Sequence, residues 1–123
     1  MKVLGIRFCS VSDRADELVA FLGEGVGMPM RSVTGEGQPA DGTTTTGGAI
    51  FPAGDESWIE IWREGPGMPA GTMLQIVVDD ADAWAEQAKR NGLEPQGPTD
   101  AHGERIYFLQ APGGLPVTLQ SKV

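Results

Sequence analysis

Three residues at alternate positions, Trp58, Glu60 and Trp62, are where this chain concentrates groups able to recognise another molecule. In an extended strand every second side chain shares a face. Two indoles would then flank one carboxylate, with Ile59 and Ile61 forming an aliphatic face behind them. Indole faces stack on flat ligands and attract cations, and a carboxylate adds charge. The same residues would serve equally well as core or dimer contacts, because aromatic side chains also dominate buried interfaces. Arg105 and Tyr107 share a strand face opposite Ile106 and Phe108 and offer a guanidinium fork and a hydroxyl to a ligand. A surface salt bridge and an edge aromatic account for that pair too.

Arg7 and Cys9 alternate on a strand near the start of the chain, where a cation beside a thiol would favour the thiolate. No histidine is placed to activate Cys9, so an inert buried thiol is the better assignment. The one histidine, His102, falls in a loop before a strand and reads as exposed. Met28 and Met30 form an adaptable apolar wall or fill a gap in the core. No nucleophile elbow, phosphate-cradling glycine loop or pair of histidines at ligand spacing occurs. The adjacent carboxylates Asp79 and Asp80 sit where a helix cap is wanted.

The elements that would position these residues repeat. Residues 3–11 alternate as a strand, and a helix follows with Asp13 as N-cap, Asp16 and Glu17 in its first turn, and a stripe of Ala15, Leu18, Val19 and Leu22, ending at Gly23, Gly25 and Gly27. Residues 72–78 repeat the strand, with Asp79 and Asp80 as caps and a helical stripe of Ala81, Trp84, Ala85 and Ala88 running to Asn91 and Gly92. Trp84 is expected in the core. Strands over 57–62 and 115–120 close the two halves, and shorter strands are expected over 30–33, 48–51, 93–96 and 105–109. The glycine- and threonine-rich stretch 35–48 reads as a connector or as a lid over a pocket, and residues 64–71 read as a linker between the halves.

With 123 residues, the chain is long enough for one core without metals or disulfides. Nine basic against seventeen acidic residues give a net charge of −8, which argues against nucleic acid or an anionic membrane surface as a partner. No stretch is apolar over the ~20 residues a membrane span needs. No export signal is seen after Met1, and the single Cys9 excludes an internal disulfide, so a cytoplasmic protein is expected.

The run from Val78 to Trp84, the helix to Leu93, and the segment from His102 to Gly114 together resemble the second module of the glyoxalase, bleomycin-resistance and extradiol-dioxygenase proteins, the vicinal oxygen chelate superfamily. Gly103, Arg105 and Pro112 to Gly114 match that module, while Ala111 stands where an aspartate is expected. The resemblance implies an α+β fold of two βαβββ modules, about 1–64 and 71–123, whose curved mixed sheets surround a cavity in one domain, and it implies a homodimer.

The resemblance also implies a divalent metal held from the first and last strands of each module. The corresponding positions here are Arg7, Glu60, Met73 and Thr118, and only Glu60 is a credible ligand. Arg7 would repel a metal and pair instead with Glu60. The expectation is therefore a small-molecule binding protein of the bleomycin-resistance type without metal or other cofactor, taking an aromatic or cationic ligand at Trp58, Glu60, Trp62, Arg7, Arg105 and Tyr107. The alternatives are a glyoxalase-like lyase or dioxygenase with an atypical metal site around Glu60, and a dimerising module without a ligand.

Overall fold

A computed structural model describes residues 1–33 and 48–123, and the expected connector or lid, Gly48 apart, lies outside the described residues. In chain order the elements are β1 (Val3–Ser12), α1 (Ala15–Ala20) continued by a π-helical turn (Phe21–Val26), β2 (Arg31–Val33), β3 (Gly48–Pro52), β4 (Trp58–Arg63), β5 (Gly71–Val78), α2 (Ala81–Arg90), β6 (Gln96–Ala101), β7 (Glu104–Gln110), a 3-10 turn (Pro112–Gly114) and β8 (Pro116–Lys122). The described strands make one eight-stranded mixed sheet, ordered β2-β3-β4-β1-β5-β8-β7-β6. Each half is a βαβββ module, and the two halves join through the antiparallel β1–β5 pair within one chain.

Alternation decides what each sheet face carries. Phe51, Ala49, Ile59 and Ile61 project to the helix side, where they meet Ala15, Leu18, Val19 and Leu22 of the first helix. Phe51 and Ile61 are fully buried there, and each contributes on the order of 2 kcal/mol of apolar burial. In the second half α2 packs on β7 and β8 with Ala81 and Ala85 buried. The helices thus cover the two flanks of one face. Between them Leu4, Ile6 and Phe8 of β1 stay 52%, 46% and 44% exposed.

Several local expectations are corrected. Asp13 does not cap the first helix; the Ser12 hydroxyl accepts from the Arg14 N–H instead. That helix does not stop at Gly23. It widens into the π turn and ends at Gly27, whose left-handed backbone (φ 88°) closes it, while Gly23 sits inside the turn beside the Phe51 ring. Asp80 caps α2 as expected, accepting from the Ala83 N–H at 3.2 Å. Trp84 is only half-buried, with its indole N–H donating to Asp79 at 3.1 Å. The strand expected over 93–96 starts only at Gln96 and runs to Ala101, at the sheet edge, where Pro98 leaves no partner short of a donor.

Candidate functional site

On the face away from the helices the strand registers bring together residues far apart in sequence. In the parallel β1–β4 ladder Arg7 lies beside Trp58, Cys9 beside Glu60 and Val11 beside Trp62. Across the β1–β5 pair Arg7 faces Gln75 and Cys9 faces Met73, and Gln75 in turn lies beside Thr118 of β8. Arg7, Glu60, Met73 and Thr118 therefore do share one face.

The sheet is curled around this face. The Arg7 guanidinium donates to Glu104 of β7 at 3.1 Å, and Lys122 of β8 pairs with Glu56 at 3.1 Å. The Arg7–Glu104 pair bridges three strand spacings of about 4.8 Å from β1 to β7, a span that side chains close most readily if the sheet bends towards them. Arg7 is 4% exposed and fully engaged: it also donates to the Glu56 carboxylate at 2.9 Å and to the Glu56 carbonyl at 3.1 Å, and it lies 3.6 Å from the centre of the Trp58 ring. Gln120 donates to Glu104 at 3.2 Å and accepts from the Thr118 hydroxyl at 2.5 Å. The Glu56 carboxyl is held below its usual range, chiefly by its hydrogen bond from Lys122 and against the cost of its own desolvation. The expected Arg7–Glu60 pair does not form, because Glu56 and Glu104 occupy the guanidinium.

Glu60 has different company. One carboxylate oxygen accepts from the Trp58 indole at 2.6 Å, and the other accepts from the Trp62 indole at 3.0 Å and from the Cys9 thiol at 3.4 Å. Burial, then the nearby Glu60 charge, pushes the Cys9 thiol up to about 12, so it stays protonated and donates rather than attacks. No Lys or Arg among the described residues lies within ion-pair distance of Glu60.

A cavity of about 350 Å³ opens in front of this cluster, lined by Cys9, Val11, Glu60, Trp62, Met73 and Gln75 and walled by residues 67–72. The inter-module linker is thus one wall of the site, which composition alone did not indicate. Trp62 is pinned at the back by Gly48, where an added Cβ would meet the indole ring at 2.5 Å. A larger hollow of about 710 Å³, lined by Leu93, Phe108, Leu109 and Val117 among others, carries Glu94 as its only charged group among the described residues and none of the six expected ligand-binding residues.

Of the six expected ligand-binding residues, Glu60 and Trp62 line the cavity. Trp58 and Arg7 share the face but are stacked on each other. Arg105 and Tyr107 are on the opposite, helix-facing side. There Arg105 pairs with Asp82 and Asp100 at 3.1 and 3.0 Å, and the Tyr107 hydroxyl donates to Asp82 at 2.5 Å. Those bonds, that from Tyr107 first, hold the Asp82 carboxyl below its usual range. Alternation along β7 was read correctly, but its inward residues are Glu104, Ile106 and Phe108. His102 is exposed in the β6–β7 turn.

The donor set does not suit a divalent metal. The residues directly beside Glu60 and Thr118 in the parallel ladders are Cys9 and Gln75, two places from Arg7 and Met73. Glu60 already accepts three hydrogen bonds, one of them from the Cys9 thiol. Among the described residues no three His, Cys, Asp or Glu side chains converge as metal ligands would.

No protein-family model matches this sequence, and no curated protein does. Solved structures do match it over nearly their whole length. Methylmalonyl-CoA epimerase from Mycobacterium tuberculosis is 17% identical with a TM-score of 0.64, over 98% of this chain and 87% of that one. A glyoxalase/bleomycin resistance protein/dioxygenase superfamily member from Vibrio splendidus 12B01 is 10% identical with a TM-score of 0.60, over 95% and 97%. A hypothetical protein from Bacillus halodurans C-125 is 19% identical with a TM-score of 0.62, over 99% and 94%. At these identities the likeness is one of fold, and the fold is that of the vicinal oxygen chelate superfamily. No described helix is long and apolar enough to cross a membrane.

Proposed function

We propose that this chain is a metal-independent small-molecule binding protein that takes a cationic, partly aromatic ligand in the cavity before Glu60. The observation that carries this reading is the state of Glu60. Among the described residues it is the only charged group lining the cavity, it accepts from two indoles and a thiol, and no described Lys or Arg lies within ion-pair distance of it. A negative charge held in this way beside the Trp62 ring attracts a cation electrostatically and through the ring. The net charge of −8 adds a weaker attraction at long range.

The test is elemental analysis of purified, chelator-treated protein, followed by thermal melting with added zinc, nickel, manganese and iron. The expected result is no stoichiometric metal and no saturable stabilisation. Either one would promote an enzyme built around Glu60.

The same reading makes the working unit a homodimer. Its support is the stripe of Leu4, Ile6 and Phe8, an uncharged apolar surface between the two helices in a strongly acidic chain.

A further inference from the structure

Building on the Glu60 reading, we propose that the cation this site selects carries its charge on a nitrogen with no N–H: a quaternary ammonium group or an N-alkylated aromatic ring, in preference to a primary ammonium. The reason lies in how the carboxylate is spent. A carboxylate offers about four lone-pair directions. Trp58, Trp62 and Cys9 take three of them, at 2.6, 3.0 and 3.4 Å. A primary ammonium brings three donors and a tight hydration shell, and it leaves water only where acceptors replace that shell.

The cavity does not supply such acceptors in number. Apart from Glu60, the described residues that line it are mostly apolar, Val11, Trp62, Met68, Pro69, Met73 and Pro116 among them, with the Gln75 amide and the Thr72 hydroxyl as the remaining side-chain oxygen acceptors. Methyl groups on a quaternary nitrogen need no acceptor. They pack against thioethers and an indole face while the charge stays close to Glu60. Coulomb attraction has no directional requirement, so a carboxylate with most of its lone pairs engaged by neutral donors still attracts such an ion. Gly48 contributes by leaving room for the Trp62 ring, which lines the cavity.

The experiment is isothermal titration of the whole chain at neutral pH with benzyltrimethylammonium, benzylammonium and benzyl alcohol, three probes with one aromatic body and different heads. The expected result is binding of benzyltrimethylammonium at least about tenfold tighter than benzylammonium, a difference of about 1.4 kcal/mol, with benzyl alcohol weaker than both. Glu60→Gln should reduce the benzyltrimethylammonium affinity about tenfold or more. Met68→Lys, at an exposed wall residue outside the Trp–Glu cluster, should abolish that binding without lowering thermal stability. Equal or tighter binding of benzylammonium would overturn this inference and leave the site reading standing. Absence of binding by either cation, or binding indifferent to both substitutions, would overturn the two together.

Discussion

Glu60 and Asp82 are both half-encircled by donors, yet they sit in opposite electrostatic circumstances. Asp82 faces a guanidinium and a phenol and helps fasten a helix to the sheet. Among the described residues, the donors that reach Glu60 are neutral. A carboxylate whose charge is answered within the chain is part of the scaffold, whereas one that is held in place but not answered can answer a ligand. The Arg7 cluster belongs to the first kind. Its carboxylates come from a loop before β4 and from β7, so it ties the two modules together across the curled face.

The largest test of this contrast is Arg7→Met. Removing the guanidinium leaves Glu56 and Glu104 in a mostly buried setting with only Lys122 near one of them, and urea denaturation should show a loss of about 3 kcal/mol. Glu60→Gln removes a charge that no described ion pair answers but turns an amide N–H towards at least one of its three donors, and should cost about 1 kcal/mol in the same experiment, well below Arg7→Met. Comparable losses in the two variants would erase the distinction.

Cys9 gives the next effect. Its folded-state thiol ionises near 12 and the unfolded thiol near 8.5, so between those values the unfolded chain binds fewer protons and stability falls as pH rises. Cys9→Ser keeps a donor to Glu60 and removes the titration, so its melting temperature should fall less steeply than that of the parent across that window.

Asp82 behaves in the opposite sense. Its folded pKa lies below the unfolded one, so its contribution is full above the ordinary aspartate range and is lost as pH falls through the lowered value. Asp82→Asn should flatten the acid limb of the stability curve between about pH 5 and 2, and should leave cation binding unchanged. The smallest expected effect on folding is that of Phe8→Glu, within about 0.5 kcal/mol at so exposed a position. Sedimentation should nevertheless show it to be monomeric if the Leu4, Ile6 and Phe8 stripe joins two copies.

Much of the fold was legible because alternation and helical spacing are local. The repeated strand–helix text marked both modules, and the inward alternation of Trp58, Glu60 and Trp62 was read correctly. What stayed hidden depends on distance or on handedness. Alternation tells which residues share a face, but it does not tell which face meets the helices, so Arg105 and Tyr107 were set on the wrong side. The partners of Arg7 lie 49 and 97 residues away, beyond any pattern that spacing can reveal. Polar Thr118 and Gln120, alternating with apolar Val117 and Leu119 in the final strand, were a readable sign that something polar lay opposite. The linker's place in the cavity wall had no such sign.

Two of the chain's three tryptophans donate their N–H to the same carboxylate, while Trp84 is tied to Asp79 behind the sheet. Indole emission responds to a charge placed near the ring, so the molecule contains its own optical gauge of the cavity. A cation arriving at Glu60 perturbs the two coupled emitters and leaves the third as a fixed reference. Occupancy can therefore be followed without attaching any dye.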